Sequence, residues 1–467
     1  MPTDTFRQDL HRIADWVADY RANTASRPVL SSAQPGEIAK ALPDAAPESP
    51  EPLDAIIRDL ADILLPGITH WNHPRFFAYF PANNSEPSIL AELVTAAIGA
   101  QCMSWQTSPS ATELEHVVLG WLGAILGLPD GFEGVIQDTA SSATLVSILM
   151  ARERATDGKF RTQGAAASGA DRLRVYASEE AHSSVEKAVF LSGIGSENLR
   201  RVPVNEELAM DPAALDEAIR TDRDRGLIPC AVVATVGTTS TLAVDSVKHI
   251  GQVCKEHDVF LHVDAAFAGS LAALPEMRWL IDGLELADSF VMNPHKWMYV
   301  NFDCSAHWVR DVDLLLRTCA IDPEYLKTAR DEDVRNYRDW GIPLGRRFRA
   351  LKLWWVLRSF GADGIRARLR KALALAEGLE QRIREDEDLK LVTSGRLGLV
   401  CFRPVREELG PAILDHVNGS GEAYMTHTKV GEHFTLRWHT AQDLTTEEDV
   451  DAGWSALRSA IDAMPKE

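Results

Sequence analysis

Short unbroken apolar runs, separated by helical patterns, constrain this chain more than any other feature. Between residues 86 and 345 they are Gly134-Val135-Ile136-Gln137, Leu173-Arg174-Val175-Tyr176-Ala177, Ala231-Val232-Val233-Ala234-Thr235-Val236, Val259-Phe260-Leu261-His262-Val263 and Ser289-Phe290-Val291-Met292. Several are continuous rather than alternating, as a strand buried on both faces requires. Helical stretches such as 143–155 and 183–192 lie between them. This alternation predicts an α/β layer built on a parallel or mixed sheet. Ligands in such sheets gather beyond the carboxyl ends of the strands.

The flanks read differently. Residues 1–85 give a helix near 5–22, a Pro-rich connector from Gln34 to Pro52, and a helix near 53–65. Their apolar stripes are too short to make a core of their own, so they need the main domain or a second subunit. After a helix at 348–357 come strands at 397–402 and 434–438 and a helix at 447–463, a small α+β pattern. The expected division is 1–85, 86–350 and 351–467.

Charge and composition exclude some functions. Of 467 residues, Lys plus Arg is 48 and Asp plus Glu 68, a net charge of -20. That acidity argues against general nucleic-acid or anionic-membrane binding. The cysteines at 102, 230, 254, 304, 319 and 401 form no Cys-x-x-Cys pair, which fits reduced thiols in a cytoplasm. No apolar run approaches the roughly 18 residues of a membrane span. The N-terminus lacks a basic and then apolar leader, so no signal peptide is expected. Fourteen histidines offer no His-x-x-x-His pair with a matching carboxylate, so no metal is expected.

Four motifs follow the apolar runs. Lys296 lies in Asn293-Pro294-His295-Lys296-Trp297; a lone lysine is usually solvated, but its neighbours here are apolar, and burial depresses lysine basicity. Asp264 ends one run and is followed by Ala265 and Ala266. It reads either as a carboxylate capping a turn or as the partner of a flat cationic ring resting on Ala266. Thr139-Ala140-Ser141-Ser142 opens a helix, as an ordinary N-cap or as an anion site. His182 begins another helix, as a polar cap or as a group stacked on a ring. Lysine and aspartate together are what pyridoxal phosphate needs: an amine to condense with its aldehyde, and a carboxylate to keep its pyridine nitrogen protonated.

With these residues in place, the chain resembles the aromatic-L-amino-acid decarboxylases of the group II pyridoxal-phosphate-dependent family, from about Arg7 to Ala463. The resemblance is carried by residues 293–305 (NPHKWMYVNFDCS), 262–269 (HVDAAFAG), 181–188 (AHSSVEKA), Gly237-Thr238-Thr239, 342–352 (IPLGRRFRALK), 104–115 (SWQTSPSATELE) and 77–81 (FAYFP). It implies the type I fold of pyridoxal-phosphate-dependent transferases: a large domain with a mostly parallel sheet, a helical N-terminal segment that wraps a twin subunit, and a small C-terminal domain.

It also implies roles. Lys296 carries the cofactor, Asp264 pairs with its ring nitrogen, His182 stacks on one face and Ala266 supports the other. Thr239 lies near the ring hydroxyl, and Ala140, Ser141, Asn293 and His295 hold the phosphate. Tyr325, on a loop that the family closes over the neighbouring subunit's site, protonates the α-carbon, helped by His182, after carbon dioxide leaves. The charged run from Asp331 to Asp339 fits a segment ordered by substrate.

The implied substrate wall is Trp71, Tyr79, Phe80, Pro81, Ala82, Gln101, Met103 and Gly345. Ala82 stands where animal DOPA-type enzymes carry threonine; Gln101 and Met103 replace their isoleucine and phenylalanine, and Phe267 replaces a tyrosine. Gly345 is small where histidine decarboxylases carry serine, leaving room for phenyl or indole. The expected reaction is decarboxylation of an aromatic L-amino acid, among Trp, Phe, Tyr and DOPA, by a cytoplasmic homodimeric carboxy-lyase. The rivals are an aromatic acetaldehyde synthase, which carries phenylalanine in place of the loop tyrosine, another pyridoxal-phosphate enzyme such as an aminotransferase, and an inactive scaffold.

Overall fold

The computed structural model describes residues 3–321, 324–326, 330 and 333–465. The chain divides into two compact units, Ala82–Lys371 and Met1–Pro81 with Ala372–Glu467. The N-terminal residues and the C-terminal domain, separate in the sequence reading, thus share one unit.

The larger unit is built on seven strands: β1 (Glu133–Gln137), β2 (Leu173–Ser178), β3 (Leu199–Val202), β4 (Ile228–Thr235), β5 (Phe260–Asp264), β6 (Ser289–Met292) and β7 (Ser305–Val309). Their order is β1-β7-β6-β5-β4-β2-β3, with β7 antiparallel to both neighbours and the other pairs parallel. The core sits between this sheet and the helices Ala140–Ala155 and Ser183–Leu191, where Val146, Ile148, Val185, Val189 and Val233 are buried.

Four strands escaped the sequence reading, β3 and β7 here and those at Leu389–Thr393 and Thr426–Val430 in the smaller unit. β3 is a four-residue edge strand with two arginines. β7 carries Ser305 and His307, polar yet fully buried, so its hydropathy does not announce a central strand. The helix read at 348–357 runs from Arg349 to Glu385 and is broken only at Gly361.

The smaller unit holds a second, all-antiparallel sheet of β8 (Leu389–Thr393), β9 (Leu399–Pro404), β10 (Thr426–Val430) and β11 (His433–His439), ordered β10-β11-β9-β8. Phe77 packs on Trp438 with ring centroids 4.4 Å apart, and its backbone pairs with Tyr424 and His439. The helix Glu447–Asp462 starts with a capping box between Thr446 and Asp449. The Pro-rich connector contains a short helix, Glu37–Ala41. No described helix is long and apolar enough to cross a membrane.

Candidate active site

The motifs converge on the carboxyl edge of the larger sheet. Asp264 is the last residue of β5 and only 5% exposed. Its Oδ1 accepts the Ala266 N–H at 3.0 Å, while its carbonyl accepts the Val236 N–H at 2.8 Å. The turn-capping role foreseen for this carboxylate is therefore present, and it fixes the side chain at the strand end.

β6 ends at Met292, and Pro294, preset for a first helical turn, starts the short helix Pro294–Trp297. Lys296 is its third residue. The Asn83 side chain donates to the Lys296 carbonyl at 2.6 Å. Desolvation pulls the Lys296 amine below its ordinary basicity, with the Asp264 charge opposing. Thus the charge of the aspartate reaches the lysine amine.

His182 is the N-cap of the helix Ser183–Leu191. Its Nδ1 accepts the Ser184 N–H at 3.2 Å, so a neutral ring carries its proton on Nε2. Burial keeps the ring below its usual pKa; Asp264 pulls it up, and Lys296 and Lys187 push it further down.

At the start of the helix Ala140–Ala155, the Thr139 hydroxyl accepts the Ser142 N–H. Ala140 is buried and Ser141 exposed. Ala140, Ala143, Val291 and Ala266 pack together, which places the helix start beside the strand ends. Asn293 is buried, and its Oδ1 accepts the Ser305 hydroxyl at 2.7 Å. His295 Nδ1 accepts the Cys304 N–H at 2.9 Å, and burial, with Lys296 next, drives its pKa to about 3.

Thr239 sits exposed in the turn after β4. Gly237 has φ +88°, and a Cβ there would lie 2.7 Å from the Ala268 methyl, so no other residue fits. The turn closes through the Ala243 carbonyl, which accepts the Gly237 and Thr238 N–H groups. Asp245, missed in the sequence reading, accepts the Thr235 and Met210 N–H groups at 2.8 and 2.7 Å. Its burial raises its pKa to about 6.

The residues expected to touch substrate divide between the units. Trp71, Tyr79, Phe80 and Pro81 belong to the smaller one, where Trp71 stacks on Tyr79 at 5.6 Å and Tyr424 adds an edge at 6.1 Å. Tyr424 went unnoticed because its neighbours form no motif. Ala82, Gln101, Met103 and Gly345 belong to the larger unit. Gln101 Oε1 accepts the Arg346 N–H at 2.8 Å, and the Met103 carbonyl accepts the Arg338 N–H. Arg346 is held by a buried two-pronged ion pair with Glu115, at 2.7 and 3.0 Å. Tyr325 falls in a short turn, Glu324–Leu326, with its side chain outside the described residues, as are Asp331 and Glu332 of the charged run.

Comparison with known proteins decides the family. The pyridoxal-dependent decarboxylase conserved domain matches residues 35–405. Tryptophan decarboxylase 2 of Oryza sativa subsp. japonica is 43% identical, over 98% of this chain and 95% of the relative. Phenylacetaldehyde synthase of Arabidopsis thaliana is 41% identical, over 98% and 96%. The crystal structure of Oryza sativa TDC with PLP and tryptamine superposes with a TM-score of 0.96 at 36% identity, covering 100% of this chain and 99% of that one.

The chain belongs to the pyridoxal-dependent decarboxylases.

It is accordingly a carboxy-lyase of the aromatic amino-acid decarboxylase group with the type I fold, and its cofactor is pyridoxal phosphate. The residues of this decarboxylase fit that group. The small side chains of Ala140, Ala143 and Ala266 leave a flat ring room at the strand ends. Thr235 Oγ1, on the residue paired with Asp264, and Ser178 Oγ, at the end of β2, are buried without hydrogen-bond partners among the described residues. Unpaired buried polar atoms at a strand edge are what a polar ligand would satisfy.

Proposed function

We propose that this decarboxylase converts an aromatic L-amino acid, among Trp, Phe, Tyr and DOPA, to its amine and carbon dioxide. One observation carries the reading: a desolvated lysine of lowered basicity shares the sheet edge with a buried aspartate. Bound there, pyridoxal phosphate supplies an electron-accepting ring for the carbon that loses its carboxylate.

The protein groups divide the work. Lys296, short of solvent, presents an unprotonated amine more readily than an exposed lysine and anchors the aldehyde. Asp264 keeps a proton on the pyridine nitrogen. His182, its Nδ1 committed to Ser184, stacks on one face of the ring, and Ala266 lines the other face. The N–H groups of Ala140 and Ser141 meet the phosphate at a helix start, where the backbone dipole favours an anion; Asn293 and His295 complete the grip, and Thr239 lies beside the ring hydroxyl. Tyr325 delivers its phenolic proton to the α-carbon as general acid. Trp71, Tyr79, Phe80, Pro81, Ala82, Gln101, Met103 and Gly345 select the aromatic side chain, and the aromatic cluster around Tyr79 supports that assignment.

The similarity to a phenylacetaldehyde synthase supports a second reading, in which oxygen is consumed and an aldehyde, ammonia and peroxide appear. Tyr325 favours the simple decarboxylase. A panel of L-amino acids, with amine, aldehyde and peroxide measured beside carbon dioxide, tests both. Amine in step with carbon dioxide is expected; peroxide in step with it reverses the preference.

The working form proposed is a cytoplasmic homodimer. Leu90, Leu93, Ile98, Val117 and Trp121, on the helices Glu86–Ile98 and Pro109–Leu126, are exposed apolar side chains suited to a twin surface. A fully active monomer at micromolar concentration would contradict it.

A further inference from the structure

Between the sheet and the helix Ala140–Ala155 lies a chain of polar side chains that none of the steps above uses. His262 sits on β5 two residues before Asp264, so both side chains leave the strand on one face. Its Nε2 lies 3.3 Å from Thr144 Oγ1, and its Nδ1 lies 2.8 Å from Ser289 Oγ on β6. Ser289 donates to Ser147 Oγ at 3.1 Å, and Ser147 Oγ lies 3.0 Å from His307 Nε2 on β7. All five residues are wholly buried.

Counting protons gives the chain a direction. Ser289 spends its hydroxyl proton on Ser147, so it must accept from Nδ1–H of His262. A neutral imidazole has one N–H, so Nε2 is an acceptor and the Thr144 hydroxyl donates to it. Both rings are neutral: burial, then His307, drives the pKa of His262 far down, and burial pushes that of His307 to about 3.

This helix needs such a chain because of what surrounds it. Thr144 and Ser147 follow Ala140 and Ala143 at helical spacing, on the side that meets the sheet. Methyl contacts are non-directional and leave a helix free to slide or turn by fractions of an ångström. Hydrogen bonds of fixed length and angle do not. Thr144 lies one turn beyond Ala140, where the phosphate donors begin.

We propose that His262 is a positioning residue for pyridoxal phosphate, setting through Thr144 the phosphate-gripping helix start against the strand that carries Asp264. One imidazole thereby registers the two ends of the cofactor site. The inference rests on the roles proposed above for Asp264, Ala140 and Ser141.

The test is titration of apoprotein with pyridoxal phosphate, followed by visible absorbance, with thermal melts of each apoprotein alongside. His262→Gln can keep an amide towards Thr144; His262→Asn keeps one only towards Ser289. Thr144→Val removes the hydroxyl and preserves shape. Asn and Val variants should bind the cofactor roughly 10-fold more weakly, the worth of one hydrogen bond, with the Gln variant within about 3-fold of wild type. A merely structural role would make cofactor affinity follow apoprotein melting temperature instead. Wild-type affinity in Thr144→Val, which also serves if the His262 variants do not fold, overturns the proposal. So does a Gln variant as weak as the Asn variant. Wild-type protein that takes up no pyridoxal phosphate overturns the functional reading and this inference with it.

Discussion

Two lysines of the larger unit, Lys352 buried and Lys296 partly buried, show why burial alone does not make a reactive amine. Lys352, 1% exposed, sits 2.9 Å from Glu92, which also meets Arg347 and Asn301. Burial alone would raise the Glu92 pKa, but the hydrogen bond and charge of Lys352, with Asn301 and Arg347, lower it. The Lys352 charge thus helps to hold the Glu92 carboxylate ionised. Around Lys296 the balance reverses: desolvation outweighs the pull of Asp264, and the amine loses basicity. The first region spends its charges on a fold contact; the second leaves one poised for chemistry.

Substitutions can break this contrast. Lys296→Met should have the largest effect, lowering carbon dioxide release by at least about 10⁴-fold and abolishing the visible cofactor band that borohydride would trap. Retained turnover would remove the catalytic assignment. Asp264→Asn should cost about 10²- to 10³-fold in kcat, the usual loss of one preorganised electrostatic group. Unchanged kcat would mean the carboxylate serves only its turn.

The structural lysine should answer to a different assay. Glu92→Gln removes the carboxylate that meets buried Lys352, and the partly exposed setting of Glu92 limits the cost to about 2 kcal/mol in a denaturant melt. Because the folded pKa of Glu92 is lowered, the wild-type pair stabilises above the ordinary glutamate range and that stability fades as pH falls below it. The variant should lack that acid limb.

The smallest effect sharpens the contrast most. In apoprotein, Lys296→Met should raise stability by about 1 kcal/mol at neutral pH while destroying activity. The unfolded lysine binds its proton up to a higher pH than the folded one, so wild-type apoprotein gains stability as pH rises between those two values. The Met variant should stay flat across that window; a parallel rise in both would sink the reading.

How far the sequence spoke varied with the element. β4 and β5 were legible because Val232, Val233, Leu261 and Val263 are buried on both sheet faces and read as unbroken apolar runs. β7 was not, because its buried His307 is paid for by a hydrogen bond to Ser147, 160 positions away in sequence. Lys296, Asp264 and His182 stood out by motif. Asp245 and Tyr424 did not, since each gains its importance from a partner brought near only by folding.

By itself the sequence determined the α/β alternation, the family and the identities of the chemical groups, because periodicity and ordered motifs are local properties of the chain. Only tertiary structure decided which lysine meets Glu92 and which loses basicity beside Asp264, which buried histidines link helix to sheet, and that Phe77 completes the C-terminal core. Desolvation and hydrogen-bond geometry depend on what surrounds a side chain in space, and no reading along the chain contains that.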